Sequence, residues 1–184
     1  NTKPILIVTG EPFSIFSEIL FKTFKKNKFK KPIIIIGSYN LLMDQMKFLK
    51  YKIQFNIIKK SFDDKNLKND KLNLIDVKFD YKNIFENISS NSNSYNYKCF
   101  ATALKLLKTK KFSGLINGPI SKKHFLKGKY LGITEFLAEK TKSKNFVMLI
   151  FNKKLAVSPV STHIPLKNVY KKISSKKIIN HVEI

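Results

Sequence analysis

Short apolar runs rich in β-branched residues alternate with amphipathic stretches along the 184 residues of the chain. Residues 5–8, closed by Thr9-Gly10, and residues 33–36, ended by Gly37, are continuously apolar, as strands buried on both faces are. Residues 17–26 and 40–49 have helical spacing, and Leu42, Met46 and Leu49 share one face of the second segment. Further strands are expected over 52–58, 74–79, 114–116, 146–151 and 155–160, the last two joined by an Asn152-Lys153-Lys154 turn. Residues 63–71 are polar and read as a loop. Residues 87–96, rich in Ser and Asn, are the expected flexible segment, and they precede a helix with Tyr97, Phe100, Leu104 and Leu107 on one face. The alternation predicts an α/β fold in three layers, with a mainly parallel sheet covered by helices on both sides. No repeat and no internal boundary is visible between residues 1 and 184. The last segment reads as a helix starting at Ser174 with no stop signal before Ile184, which predicts a truncated sequence.

Composition narrows the function classes. A hydrophobic fraction of 43% predicts a folded core. The net charge of +24 would fit a Lys-rich nucleic-acid-binding module, but every one of the 36 basic residues is Lys. Arg, whose planar fork grips phosphate bidentately, is absent, and the lysines are scattered rather than gathered in a stripe. The excess accompanies many Asn, Ile and Phe, as AT-rich coding would produce. Nucleic acid is therefore not an expected partner. The single cysteine, Cys99, fits a reducing compartment. Neither a signal sequence nor a membrane-spanning apolar run is visible, so a cytoplasmic protein without membrane partners is expected.

Four segments in order carry a resemblance. They are Gly10-Glu11-Pro12, Asn117-Gly118-Pro119-Ile120-Ser121-Lys122, Gly132-Ile133-Thr134-Glu135-Phe136-Leu137-Ala138, and Thr162-His163-Ile164-Pro165-Leu166. Their order and spacing resemble the 4-hydroxythreonine-4-phosphate dehydrogenase family, and the resemblance places the chain in its N-terminal half. It implies a fold like that of isocitrate and isopropylmalate dehydrogenases. It also implies NAD-dependent oxidation of 4-phosphohydroxy-L-threonine and decarboxylation to 3-amino-2-oxopropyl phosphate, in pyridoxal phosphate (vitamin B6) biosynthesis. A homodimer with a shared active site, a small phosphorylated substrate and a divalent metal (Zn, Co, Mn or Mg) are implied as well. No Gly-x-Gly-x-x-Gly follows a strand, so an ordinary dinucleotide-binding loop is not expected.

The candidate site residues each have two readings. His163 follows the strand expected over 155–160, where it is either a hydrogen-bonded strand-end imidazole or a metal ligand. The resemblance implies the ligand, with two more ligands beyond residue 184. Thr134 reads as a helix N-cap, with Glu135 complementing the dipole; the resemblance adds substrate contact. Ile133 stands where the family carries a His, and Ile can neither donate a hydrogen bond nor hold charge. A dehydrogenase of another phosphorylated hydroxy acid, or an inactive relative, is therefore the alternative. Lys122 is either a solvated lysine or a cation for substrate phosphate or carboxylate. Phe13-Ser14-Ile15-Phe16-Ser17 departs from a Gly-rich family segment, which bears on how closely a ligand can approach. Glu11 is either functional or an acid that complements the dipole of a nearby helix start, and the dipole explains it well.

Overall fold

The computed structural model describes residues 3–27 and 29–184. It divides into two units, residues 1–125 and 126–184, where the sequence shows no boundary.

The first unit is built on a five-stranded parallel sheet: β1 (Ile5–Val8), β2 (Ile33–Gly37), β3 (Phe55–Ile57), β4 (Leu72–Asp76) and β5 (Gly114–Asn117). Their spatial order is β3-β4-β2-β1-β5. Ile5 pairs with Ile33 on one side and Gly114 on the other. Leu6, Val8, Ile34, Ile35 and Ile36 are fully buried, as the uninterrupted apolar runs require. On one face, α1 (Phe16–Lys26) and α2 (Tyr39–Phe48) bring Leu20, Phe21, Leu42 and Met46 against Ile33, Ile35, Leu72 and Leu74. Alternation turns Ile34 and Ile36 to the other face, and α3 (Asn93–Leu107) lies against β1, β2 and β5. The three-layer α/β expectation holds.

Local expectations shift in informative ways. The strand expected over 52–58 shortens to β3 at the sheet edge, where one neighbour supplies its hydrogen bonds. The polar segment 63–71 includes one short helical turn, Asp64–Asn66. The Ser/Asn-rich segment 87–96 runs into α3 at Asn93 and buries Ser92 and Asn96. The buried stripe of α3 is Tyr95, Cys99, Phe100, Ala103 and Leu106, a face rotated from the expected one; Tyr97 is exposed. Counting large apolar residues misplaces the stripe because small Cys99 and Ala103 sit where the helix touches the sheet.

The second unit holds α4 (Ile133–Thr141), α5 (Ser175–Val182) and a hairpin of β6 (Ile150–Phe151) and β7 (Ala156–Val157). The long strands expected over 146–151 and 155–160 are thus two residue pairs, antiparallel, in a sheet of their own. Their side chains are exposed, so no packed face extends the pairing.

Candidate functional site

Two of the four motif segments meet in space. The strand order reverses at β1, because the chain leaves β1 toward β2 and returns to the opposite side for β5. Crevices for ligands in open α/β sheets form at the carboxyl ends of strands at such a point. Here the loops Thr9-Gly10-Glu11 and Asn117-Gly118-Pro119 are laced together. Gly118 donates its N–H to Val8 O at 2.7 Å, and Glu11 donates its N–H to Pro119 O at 2.7 Å. A Cβ on Gly10 would strike Pro119 O, and Gly10 has φ +71°. A Cβ on Gly118 would strike Thr9 O. The Phe16 ring also lies against Gly118, with Cδ2 at 2.8 Å from that Cβ position. Both glycines are therefore required by close backbone approach. An aromatic ring fills space beside the crevice that a smaller residue at position 16 would leave open.

Beneath the lacing lies a buried carboxylate. Glu11 is 1% exposed. Its Oε2 accepts from Ser92 Oγ at 2.8 Å and from Asn96 Nδ2 at 3.3 Å. Desolvation raises its pKa above the usual carboxylate value, while Ser92, Asn96 and the charge of His124 oppose the rise. Glu11 complements a helix amino end, as its acidity suggests, but the helix is α3 rather than α1. Asn93 Nδ2 donates to His124 O at 2.9 Å, which joins the turn after β5 to the same helix end. Nearby, the Tyr95 hydroxyl accepts from Ser38 N–H and pairs with Thr9 Oγ1, each at 2.9 Å. Sequence reasoning missed Ser92 and Asn96. The available signal was Asn96 itself, a polar residue one helical turn from buried Cys99 and Phe100.

The expected site residues fall in both units. Lys122, in the first, is exposed at the start of the wide helical turn Lys122–Leu126. Ile133, Thr134 and His163 are in the second. Ile133 is the first residue of α4 and Thr134 the second; the N-cap is Gly132, so Thr134 does not cap the helix as expected. Gly132 takes the extended conformation, and Glu135 occupies the first turn. Gly132 offers no side chain to cap α4, which leaves the amino-terminal N–H groups of α4 without the usual cap and suited to an anion. The α4 carboxyl end closes with Lys142 in the left-handed conformation.

His163 is exposed and has φ +56°, a conformation that non-glycine residues adopt at a cost. It does not end a strand of the parallel sheet, because β7 stops at Val157 in the two-stranded hairpin. Pro165 flanks the short helical turn Leu166–Asn168. Among the described residues no group of three or more His, Cys, Asp or Glu side chains gathers to hold a metal. His163 fits one corner of such a site, as an accessible imidazole donor.

Two other reactive-looking groups are explained structurally. Ser158 Oγ and His181 Nε2 are 2.7 Å apart, but the serine donates its proton to Met148 O at 2.7 Å. The imidazole N–H must then donate to the serine, the reverse of nucleophile activation. Cys99 is buried, and burial pushes its thiol up to about 12, so the reactive thiolate is not formed at neutral pH.

Comparison with known proteins gives consistent neighbours. Residues 28–184 match the family model described as pyridoxal phosphate biosynthetic protein PdxA. The chain is 32% identical over 183 residues to a 4-hydroxythreonine-4-phosphate dehydrogenase of Sulfurihydrogenibium sp., covering 98% of this chain and 56% of the relative. It is 25% identical over 184 residues to a D-threonate 4-phosphate dehydrogenase of Salmonella typhimurium, covering 97% of this chain and 56% of that protein. The crystal structure of 4-hydroxythreonine-4-phosphate dehydrogenase from Klebsiella pneumoniae superposes with a TM-score of 0.81 at 20% identity, over 99% of this chain and 57% of that one. The last likeness establishes the fold. The chain spans a little over half the length of the relatives it matches.

Proposed function

Because the chain belongs to the family of pyridoxal phosphate biosynthetic protein PdxA, we propose that it forms part of a 4-hydroxythreonine-4-phosphate dehydrogenase. The observation that carries this reading is the family match over residues 28–184, joined to the relatives' activity. In the proposed reaction the secondary alcohol carbon of 4-phosphohydroxy-L-threonine gives up a hydride and its hydroxyl a proton. The resulting β-keto acid loses CO2 and takes up a proton at the carbon left behind, giving 3-amino-2-oxopropyl phosphate. NAD supplies the hydride acceptor, and a divalent metal supplies Lewis acidity toward the alcohol oxygen when bound.

This chain's own residues take limited, definable parts. The exposed imidazole of His163 is one metal ligand. The Thr134 hydroxyl and the uncapped amino end of α4 bind substrate oxygen atoms. Lys122 pairs with phosphate or carboxylate as a point charge. The active enzyme is a cytoplasmic homodimer with a shared active site.

The test is turnover of 4-phosphohydroxy-L-threonine by the intact protein with NAD and a divalent ion. His163→Asn suits it, because Asn tolerates the left-handed backbone that His163 adopts. It should lower the metal-dependent rate by more than about 100-fold, roughly 2.7 kcal/mol of barrier. An undiminished rate would reject the assignment of His163.

Ile133 and the D-threonate 4-phosphate dehydrogenase relative favour a second reading, oxidation of another phosphorylated hydroxy acid. Without an imidazole at position 133 a polar contact to the substrate is missing. Ile133→His should then change the ratio of kcat/KM between the two substrates by about tenfold or more, since a hydrogen bond to a substrate group discriminates strongly. An unchanged ratio speaks against this reading.

A further inference from the structure

Behind the carboxyl ends of β1 and β2 the first unit encloses a small cavity with room for about a single water molecule. Glu11, from the loop after β1, and Ser17, from the first turn of α1, both line it. They are 1% and 2% exposed. Among the described residues neither Glu11 Oε1 nor Ser17 Oγ has a hydrogen-bond partner. A buried polar group left in that state is costly, and two on one cavity point to a shared partner.

The chemistry of the walls selects that partner. Glu11 Oε1, when ionised, only accepts, whereas the Ser17 hydroxyl can donate. One water satisfies both by donating to the carboxylate and accepting from the serine. A bound cation would need about six oxygen ligands. Three other polar side chains on the wall have partners of their own: Ser38 Oγ accepts from Leu41 N–H, the Tyr95 hydroxyl serves Ser38 and Thr9, and Gln45 Nε2 donates to Pro12 O and Ile84 O. The remaining wall includes Leu41 and Leu42, which offer no ligand.

We propose that this cavity is a binding site for one structural water, which bridges Ser17 Oγ to Glu11 Oε1. Glu11 then joins three elements at the switch point. Its N–H holds the β5 loop through Pro119 O, its Oε2 holds the amino end of α3, and its Oε1 holds α1 through the water. The water also solvates one oxygen of a carboxylate that the fold otherwise strips of solvent.

A crystal structure of the intact protein at high resolution tests the site directly. The expected map has one peak within hydrogen-bonding distance of both atoms. A dry cavity would overturn the proposal. So would a cation there, recognised by an anomalous signal after exchange with rubidium or thallium. Two variants test the solvation. Ser17→Val fills the cavity, while Ser17→Ala leaves room for the water. Titration of Glu11 by carboxyl-carbon NMR should move upward by about one pH unit in Ser17→Val and by less than half as much in Ser17→Ala. Equal shifts, or none, count against the bridge. If Ser17→Val does not fold, the map of the unaltered protein decides alone.

Discussion

Glu11 shows how one side chain can carry several structural tasks and a pH dependence at once. Its carboxyl is buried, and desolvation outweighs the favourable contacts from Ser92 and Asn96, so its folded pKa lies above the unfolded one. For a raised acid, the associated stability is complete below the unfolded pKa and is lost as pH rises through the folded pKa. Glu11→Gln keeps an oxygen to accept from Ser92 and Asn96 and removes the titration. The variant should therefore lose less stability than the parent as pH rises from about 4 upward through neutrality, in urea unfolding followed at a series of pH values. Parallel curves for the two proteins would show that the carboxyl does not couple to folding. The same position explains why a motif reading stops short. Gly10-Glu11-Pro12 announces a tight loop after a strand, and only the fold reveals that the acid faces the start of a helix more than eighty residues away.

At the level of elements, helix ends follow local chemistry, with one exception worth testing. Ser38 and Ser174 cap α2 and α5 through their hydroxyls, accepting from Leu41 and Lys177 N–H. The carboxyl ends of α2 and α4 instead place lysines, Lys50 and Lys142, in the left-handed conformation that glycine adopts at least cost. At α2 the turn closes with Lys50 N–H on Lys47 O and Tyr51 N–H on Met46 O, the hydrogen bonds of a glycine-type ending. Lys50→Gly relieves the steric cost and should stabilise the unit by about 0.5–1 kcal/mol, seen as a higher urea midpoint at unchanged slope. A lower midpoint would mean that the lysine side chain contributes more than its backbone strain removes. Strands β1 and β2 and the first two helices were legible to within a residue because their apolar runs and spacings have single solutions, whereas the strand expected over 74–79 is β4 at Leu72–Asp76. The strands over 146–151 and 155–160 were overread, since an apolar run specifies a strand only where a partner and a covering layer exist.

Over the whole chain, charge is the dominant global property. Thirty-six lysines face 12 acids, and the ion pairs Lys47–Asp44, Lys129–Glu139 and Lys140–Glu139 lie at exposed or half-exposed positions. Such pairs contribute little, so self-repulsion is poorly offset. Adding salt shortens the range of that repulsion. Raising sodium chloride from about 50 mM to about 500 mM should therefore raise the stability of the protein by on the order of 1 kcal/mol. A thermal melt that does not move with salt would mean that the lysines are spaced too widely to repel. The same titration examines the remaining alternative class, because nucleic-acid binding driven by lysines would weaken steeply over that range. No helix among the described residues is long and apolar enough to cross a membrane.

The sequence by itself determined the parallel α/β core, since uninterrupted β-branched runs can be buried only between two layers of helices. It also carried the family, through the order and spacing of four motif segments. Tertiary structure decided what those motifs do. It laced the Gly10 and Gly118 loops together at the point where strand order reverses, turned Glu11 toward α3, and placed His163 beyond a short hairpin rather than at a sheet edge. Local sequence encodes torsions and faces, whereas which loop ends meet is set by strand order, a property of contacts distant along the chain.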